Sequence, residues 1–103
     1  MSVVASFEST LWQYEGPAAW YFVTLPADLA DRVLEQAERR GSEFGAVPVQ
    51  ARVGTTTWRT SLFPDRQTAS YLLPVKKSVR TGNALMPGDV VTVHLTVPAP
   101  SPG

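Results

Sequence analysis

Three stretches of this chain place apolar residues at every second position. In VVASFESTL (3–11), Val3, Ala5, Phe7 and Leu11 share one face, while Ser6, Glu8 and Thr10 share the other. In VPVQARV (47–53), Val47, Val49, Ala51 and Val53 point one way, with Gln50 and Arg52 opposite. VVTVHLTV (90–97) repeats the pattern with Val91, Val93, Leu95 and Val97. A period of two marks a half-buried strand, with one face on a core and the other wet. A chain with several such strands must bring their apolar faces to one core, and this restricts it to mainly-β folds.

The remaining elements fit between these strands. AWYFVTL (19–25) is aromatic and β-branched, the composition of a strand covered on both faces or placed centrally. Gly54 marks a hairpin turn from which TTWRTSLF (56–63) returns antiparallel, and SYLL (70–73) is a further strand. Pro48 suits the start of a strand or an edge. Between the second and third strands lies one long helix, about 27–40. Leu29, Ala30, Val33, Leu34 and Ala37 form its apolar stripe, and Gly41 is its expected C′ residue before a loop at 42–45. Asp28 and Asp31 lie near its amino end and Arg39 and Arg40 near its carboxyl end, as the helix dipole favours. A short basic helix is expected at about 74–81, opened by Pro74. MPGD (86–89) is a turn, capped by Asp89. Six short strands would leave costly edges in an open sheet, so the expected fold is a small six-stranded barrel. The reading is one domain over 1–97, followed by a disordered Pro-rich tail at 98–103.

The 103 residues suffice for one core without staples. There is no cysteine, which removes disulfides, thiolate nucleophiles and thiolate metal sites. The first residues, MSVVASFEST, have no basic start and no long apolar run, so no signal peptide is expected. No run is long enough to span a membrane, and a cytoplasmic location is the expectation. Net charge is zero, but it is unevenly spread: residues 1–43 carry three basic and seven acidic residues, and residues 44–103 carry six basic and two acidic.

The order of several motifs has a resemblance. FESTLWQYEGPAAWYFVTLP, the helix, GTTTWRTSLFPDRQTASYLLPVKKSVR and GDVVTVHL together resemble the bacterial domain-of-unknown-function family 1905 over about residues 5–97. The resemblance implies a double-split β-barrel, a fold shared with dimeric DNA-binding regulators and antitoxins. It implies no activity, because the family defines none.

The residues themselves offer little catalytic chemistry. The single histidine, His94, falls on the Thr92–Thr96 face and reads as a solvated strand residue. No nucleophile elbow, phosphate loop, dinucleotide fingerprint or paired-histidine motif is present, so no catalytic residue, metal or cofactor is assigned and an enzyme is not expected. Trp12, Trp20 and Trp58 suit either the aromatic wall of a ligand pocket or the core; the core is the expectation for Trp20 and Trp58, while Trp12, on a mixed face with Tyr14, is expected partly exposed or covered by a partner. One arrangement does suggest a site. Lys76 and Lys77 fall in the first turn of the short helix, against the positive end of its dipole, where acidic residues are usual. Val75 and Val79 face the core, and Lys76, Lys77 and Arg80 share the wet side. These three, joined by Arg59 if its strand lies alongside, are the expected ligands of a phosphate- or carboxylate-bearing partner. The plainer alternative is that the lysines extend into water or pair with Glu8 or Asp65. Two further expectations concern macromolecules. Open strand edges favour a homodimer, the alternative being a purely structural interaction module. Binding to duplex DNA is disfavoured in a chain of zero net charge.

Overall fold

The period-two segments are strands, and all strand pairs are antiparallel. The computed structural model describes residues 3–40 and 45–98. In chain order the elements are β1 (Val3–Thr10), β2 (Trp12–Gln13), β3 (Tyr21–Thr24), α1 (Ala27–Arg40), β4 (Val47–Val53), β5 (Thr56–Asp65), β6 (Ser70–Pro74), α2 (Lys77–Gly82) and β7 (Val90–Val97). They form one sheet in the order β1-β7-β4-β5-β6-β3-β2. The fold is mainly β, with one long and one short helix, as the sequence patterns indicate, but it has seven strands where six are expected.

The extra strand comes from a break at Leu11. The Leu11 N–H donates to the Asp89 carbonyl (2.9 Å), and the Leu11 carbonyl accepts from the Gly88 N–H (2.8 Å). Its backbone therefore leaves the ladder, while its side chain is fully buried. The consequence is topological. β1 lies at one end of the sheet and β2 at the other, yet a single residue joins them. The sheet must curl until its ends approach, which gives a half-barrel. Ser9 Oγ donates to the Thr24 carbonyl (2.8 Å) and Trp12 Nε1 donates to Thr24 Oγ1 (3.0 Å), tying the two ends together.

The turns follow from local chemistry. Gly54 has φ +59°, a left-handed conformation in which a side chain is strained, and it opens the two-residue link between β4 and β5. In the 86–89 turn Pro87 precedes Gly88 at φ +97°, and the Asp89 carboxylate accepts from the Met86 N–H (2.8 Å). Pro48 sits where the β4–β7 ladder has not begun, since that pairing covers only Gln50–Arg52.

α1 has the expected bounds, but its buried arc differs from the expected stripe. Leu29, Ala30, Val33 and Ala37 are buried, whereas Leu34 is 38% exposed and Gln36 is only 5% exposed. At about 100° per residue, Gln36 falls beside Leu29 and Val33, and Leu34 lies outside the arc. The Gln36 amide is satisfied by donating to the Val97 and Pro98 carbonyls (3.3 and 2.7 Å), and it thereby fastens α1 to the end of β7. The expected Gly41 cap, residues 42–44 of the expected loop, and positions 99–103 of the expected tail lie outside the described residues.

Trp58 is buried as expected, and Trp12 is half-buried with its indole N–H bonded. Trp20 is not a core residue: it is 49% exposed. β3 begins only at Tyr21 and is flanked by a two-residue strand, so nothing covers the outer face there. The outer-face rings pack on one another instead. Trp20 stacks on Phe22 at 6.0 Å and 6°, and Phe22 meets Trp12 at 5.2 Å and 40°.

Candidate functional site

The sheet splits between β5 and β6. The two strands pair only through Phe63↔Leu72, Pro64↔Tyr71 and Asp65↔Ser70. Beyond Leu72, β6 stays with β3, through Val23↔Leu73 and Phe22↔Pro74. The cause is Pro74. The bonds Leu25 N to Tyr71 O (3.0 Å) and Val75 N to Tyr21 O (2.9 Å) show that the odd residues of β6 are directed at β3. The even residues, including Pro74, are therefore directed at β5. Proline has no N–H to give, and the ladder that would next link Pro74 to Ser61 cannot form. By the same alternation, the backbone N–H and C=O groups of Arg59 and Ser61 face the gap with no strand partner.

α2 stands across this gap. Val75 and Val79 are fully buried in the barrel, as expected, and a buried valine is worth roughly 1.5–3 kcal/mol. Asn83 Nδ2 donates to the Val79 carbonyl (2.9 Å) and to Thr56 Oγ1 (3.2 Å), which pins the end of α2 to the start of β5. The short helix does not begin at Pro74. Pro74 closes β6, Lys76 is the N-cap in an extended conformation (ψ 162°), and Lys77 is the first helical residue. With only six residues, α2 has a weak dipole. What the lysines can do therefore depends on their neighbours and not on the helix end.

Those neighbours make a cleft of about 590 Å³. Lys76, Lys77, Arg80 and Arg59 all line it, so the four residues singled out in the sequence meet in one place. Trp20, Tyr21, Trp58 and Phe63 supply aromatic walls, and among the described residues no Asp or Glu lines the cleft. Among the described residues, the side chains of Lys76, Lys77 and Arg59 have no hydrogen-bond or ion-pair partner; in particular, no pairing with Glu8 or Asp65 forms. Asp65 instead accepts from Thr68 Oγ1 (2.7 Å). Arg80 departs from its expected place on the wet side. It is half-buried, its Nε donates to the Val75 carbonyl (3.1 Å), and its guanidinium carbon lies 3.7 Å from the Tyr21 ring centroid. Its charge is thus fixed in position at the cleft wall.

In the sequence a ligand-wall role for Trp20 and Trp58 ranks below a core role, and Phe63 is not singled out. Trp20 and Phe63, 49% and 41% exposed, are not connected with the lysines by sequence, because one precedes β3 and the other lies on β5, away from them in the chain. Trp58 is 6% exposed and its indole N–H has no acceptor among the described residues. The one buried side-chain polar atom sealed off without a partner is Tyr71 Oη, so the Trp58 N–H keeps access to open space.

Elsewhere the chemistry is sparse. His94 is half-buried, not fully solvated, with Nδ1 2.6 Å from Ser6 Oγ across the β1–β7 ladder. No carboxylate orients the ring, and its neighbour on β4 is Arg52. Among the described residues no cluster of His, Asp or Glu is arranged to hold a metal ion, and no helix is long and apolar enough to cross a membrane.

No curated protein matches the chain. A family model does match, over residues 7–95, from β1 to β7 and including the whole cleft. With nearly all of its length matched, the chain belongs to the family described as Domain of unknown function (DUF1905).

Proposed function

We propose that the domain is a non-enzymatic binding module whose cleft at the β5–β6 split takes an anionic ligand, held by Lys76, Lys77, Arg80 and Arg59. One observation carries this reading: four of the nine Lys and Arg residues line one cleft to which no described Asp or Glu contributes, in a chain of zero net charge. Like charges held together in free protein repel, and an anion relieves that repulsion while gaining the free backbone N–H groups of Arg59 and Ser61. The same reading places the domain in the bacterial cytoplasm, where small phosphates and carboxylates abound and a core closed without disulfides is stable.

The test is thermal unfolding in rising inorganic phosphate at constant ionic strength. A ligand at a hundred times its dissociation constant adds about 2.7 kcal/mol to the native state. Wild type should gain stability with phosphate, and Lys76→Gln/Lys77→Gln should lose most of that gain. Equal responses in the two proteins would refute the site.

A second reading is favoured by Trp20 and Phe63, whose exposure suits contact with a second copy of the chain. In that reading the domain is a homodimeric interaction module. Light scattering at high micromolar concentration separates the two: a stable dimer lost in Trp20→Ala supports the second reading, and a monomer removes it. Duplex DNA remains disfavoured, because the chain has zero net charge and phosphate contacts dominate such binding.

A further inference from the structure

We infer, building on the anion-binding reading above, that the cleft's ligand is a planar heteroaromatic ring carrying a phosphate or carboxylate, a chemistry of which nucleoside monophosphates are representative. The cations alone would suit any small anion. The walls around them narrow the class.

Trp20 and Phe63 are large apolar side chains left about half exposed at the rim of a basic cleft. The Trp20 ring is stacked parallel to Phe22, and among the described residues no second ring stacks on it. The Arg80 guanidinium carbon sits over the Tyr21 ring, 3.7 Å from its centroid. Fixed planar surfaces beside unpaired cations suit a ligand that is itself flat at one end and charged at the other. A sugar phosphate or inorganic phosphate would leave the aromatic surface wet.

The edge of the ring also has partners. The N–H and C=O groups of Arg59 and Ser61 face the split, and the Trp58 indole N–H is unbonded. The site thus offers both donors and acceptors in the plane of a strand. A simple phenyl ring cannot use them, whereas a heteroaromatic ring with its own donors and acceptors can. By the same alternation Thr57, Arg59 and Ser61 turn their backbone groups to the split before β5 meets β6 at Phe63, and α2, pinned to Thr56 by Asn83, stands across that edge and obstructs an added peptide strand. The cleft volume of about 590 Å³ falls within the usual range for small-molecule sites, about 300–1,000 Å³.

The experiment is a set of calorimetric titrations of the whole chain with five probes, one of them a twelve-residue oligothymidylate. Adenosine 5′-monophosphate has ring and phosphate, ribose 5-phosphate has phosphate alone, adenosine has ring alone, and indole-3-acetate has ring and carboxylate. Adenosine 5′-monophosphate should bind at least tenfold tighter than ribose 5-phosphate, since stacking of one base contributes on that order. Trp20→Ala and Phe63→Ala, at exposed positions that do not threaten the fold, should each weaken adenosine 5′-monophosphate severalfold and leave ribose 5-phosphate unchanged. Lys76→Gln/Lys77→Gln should weaken both. Tighter binding of indole-3-acetate than of adenosine 5′-monophosphate would identify a carboxylate as the charged group and keep the ring. If ribose 5-phosphate binds as well as adenosine 5′-monophosphate, the anion site stands and the aromatic inference fails. If no charged probe binds, both fail. If a twelve-residue oligothymidylate binds more than tenfold tighter than the mononucleotide with steep salt dependence, the ligand is a strand and this inference is overturned.

Discussion

Gathering four cations without a carboxylate has a cost that can be measured in the ligand-free protein. A space of about 590 Å³ is roughly 10 Å across, and two unit charges at that separation repel by about 0.4 kcal/mol in water. Four charges make six pairs, and Lys76→Gln/Lys77→Gln removes five of them. The pair between Lys76 and Lys77 persists in the unfolded chain, because the two are adjacent, and so it cancels. The other four amount to about 1.6 kcal/mol unscreened. At 0.01 M salt, with a screening length of about 30 Å, about 1 kcal/mol remains; at 1 M, with about 3 Å, less than about 0.1 kcal/mol does. Glutamine keeps a long stem and a similar helix propensity, which confines the change to charge. Urea unfolding at the two salt concentrations should therefore find the variant about 1 kcal/mol more stable than wild type at low salt and equal to it at high salt. A variant of equal or lower stability at low salt would mean that the four charges are not held together.

The helix arc predicts that Val33→Ala, at a fully buried position, costs about 1.5–3 kcal/mol in urea unfolding, while Leu34→Ala costs under about 1 kcal/mol; equal costs would contradict the arc. Tyr71 Oη is buried without a partner, so Tyr71→Phe should be neutral or stabilising by about 1 kcal/mol. Burial, with the Glu38 carboxylate nearby, raises the Tyr71 pKa above the usual 10.0. The unfolded chain then loses this proton first, and stability falls as pH rises above about 10. Tyr71→Phe should flatten that alkaline loss, and an unchanged slope would refute the assignment.

The strands were legible because each has one face on the core and one in water, so burial prints a period of two. That holds for β1, β4 and β7 nearly residue by residue. The pattern cannot register the break at Leu11, whose side chain points inward as an uninterrupted strand would have it. Only the backbone reveals that its bonds go to the Met86–Asp89 turn. The aromatic run at 19–25 misled for a related reason: hydrophobicity implied cover on both faces, and Trp20 instead covers Phe22 from the outside. On α1, Gln36 was passed over as polar, although its angular position beside Val33 places it in the buried arc. Lys76, Lys77, Arg80 and Arg59 were legible as a candidate group by charge alone. The role of Pro74 in splitting β5 from β6 was not, since it depends on which side of β6 the missing N–H would face.

The most direct test of the cleft is an amide and indole NMR titration with inorganic phosphate. The chain's three tryptophans give three indole N–H signals. The account predicts movement of the unbonded Trp58 indole and of the Arg59, Ser61 and Lys77 amides. The Trp12 indole, bonded to Thr24, should stay in place. Shifts centred instead on Arg66 and α1, or none specific to any residue, would contradict it.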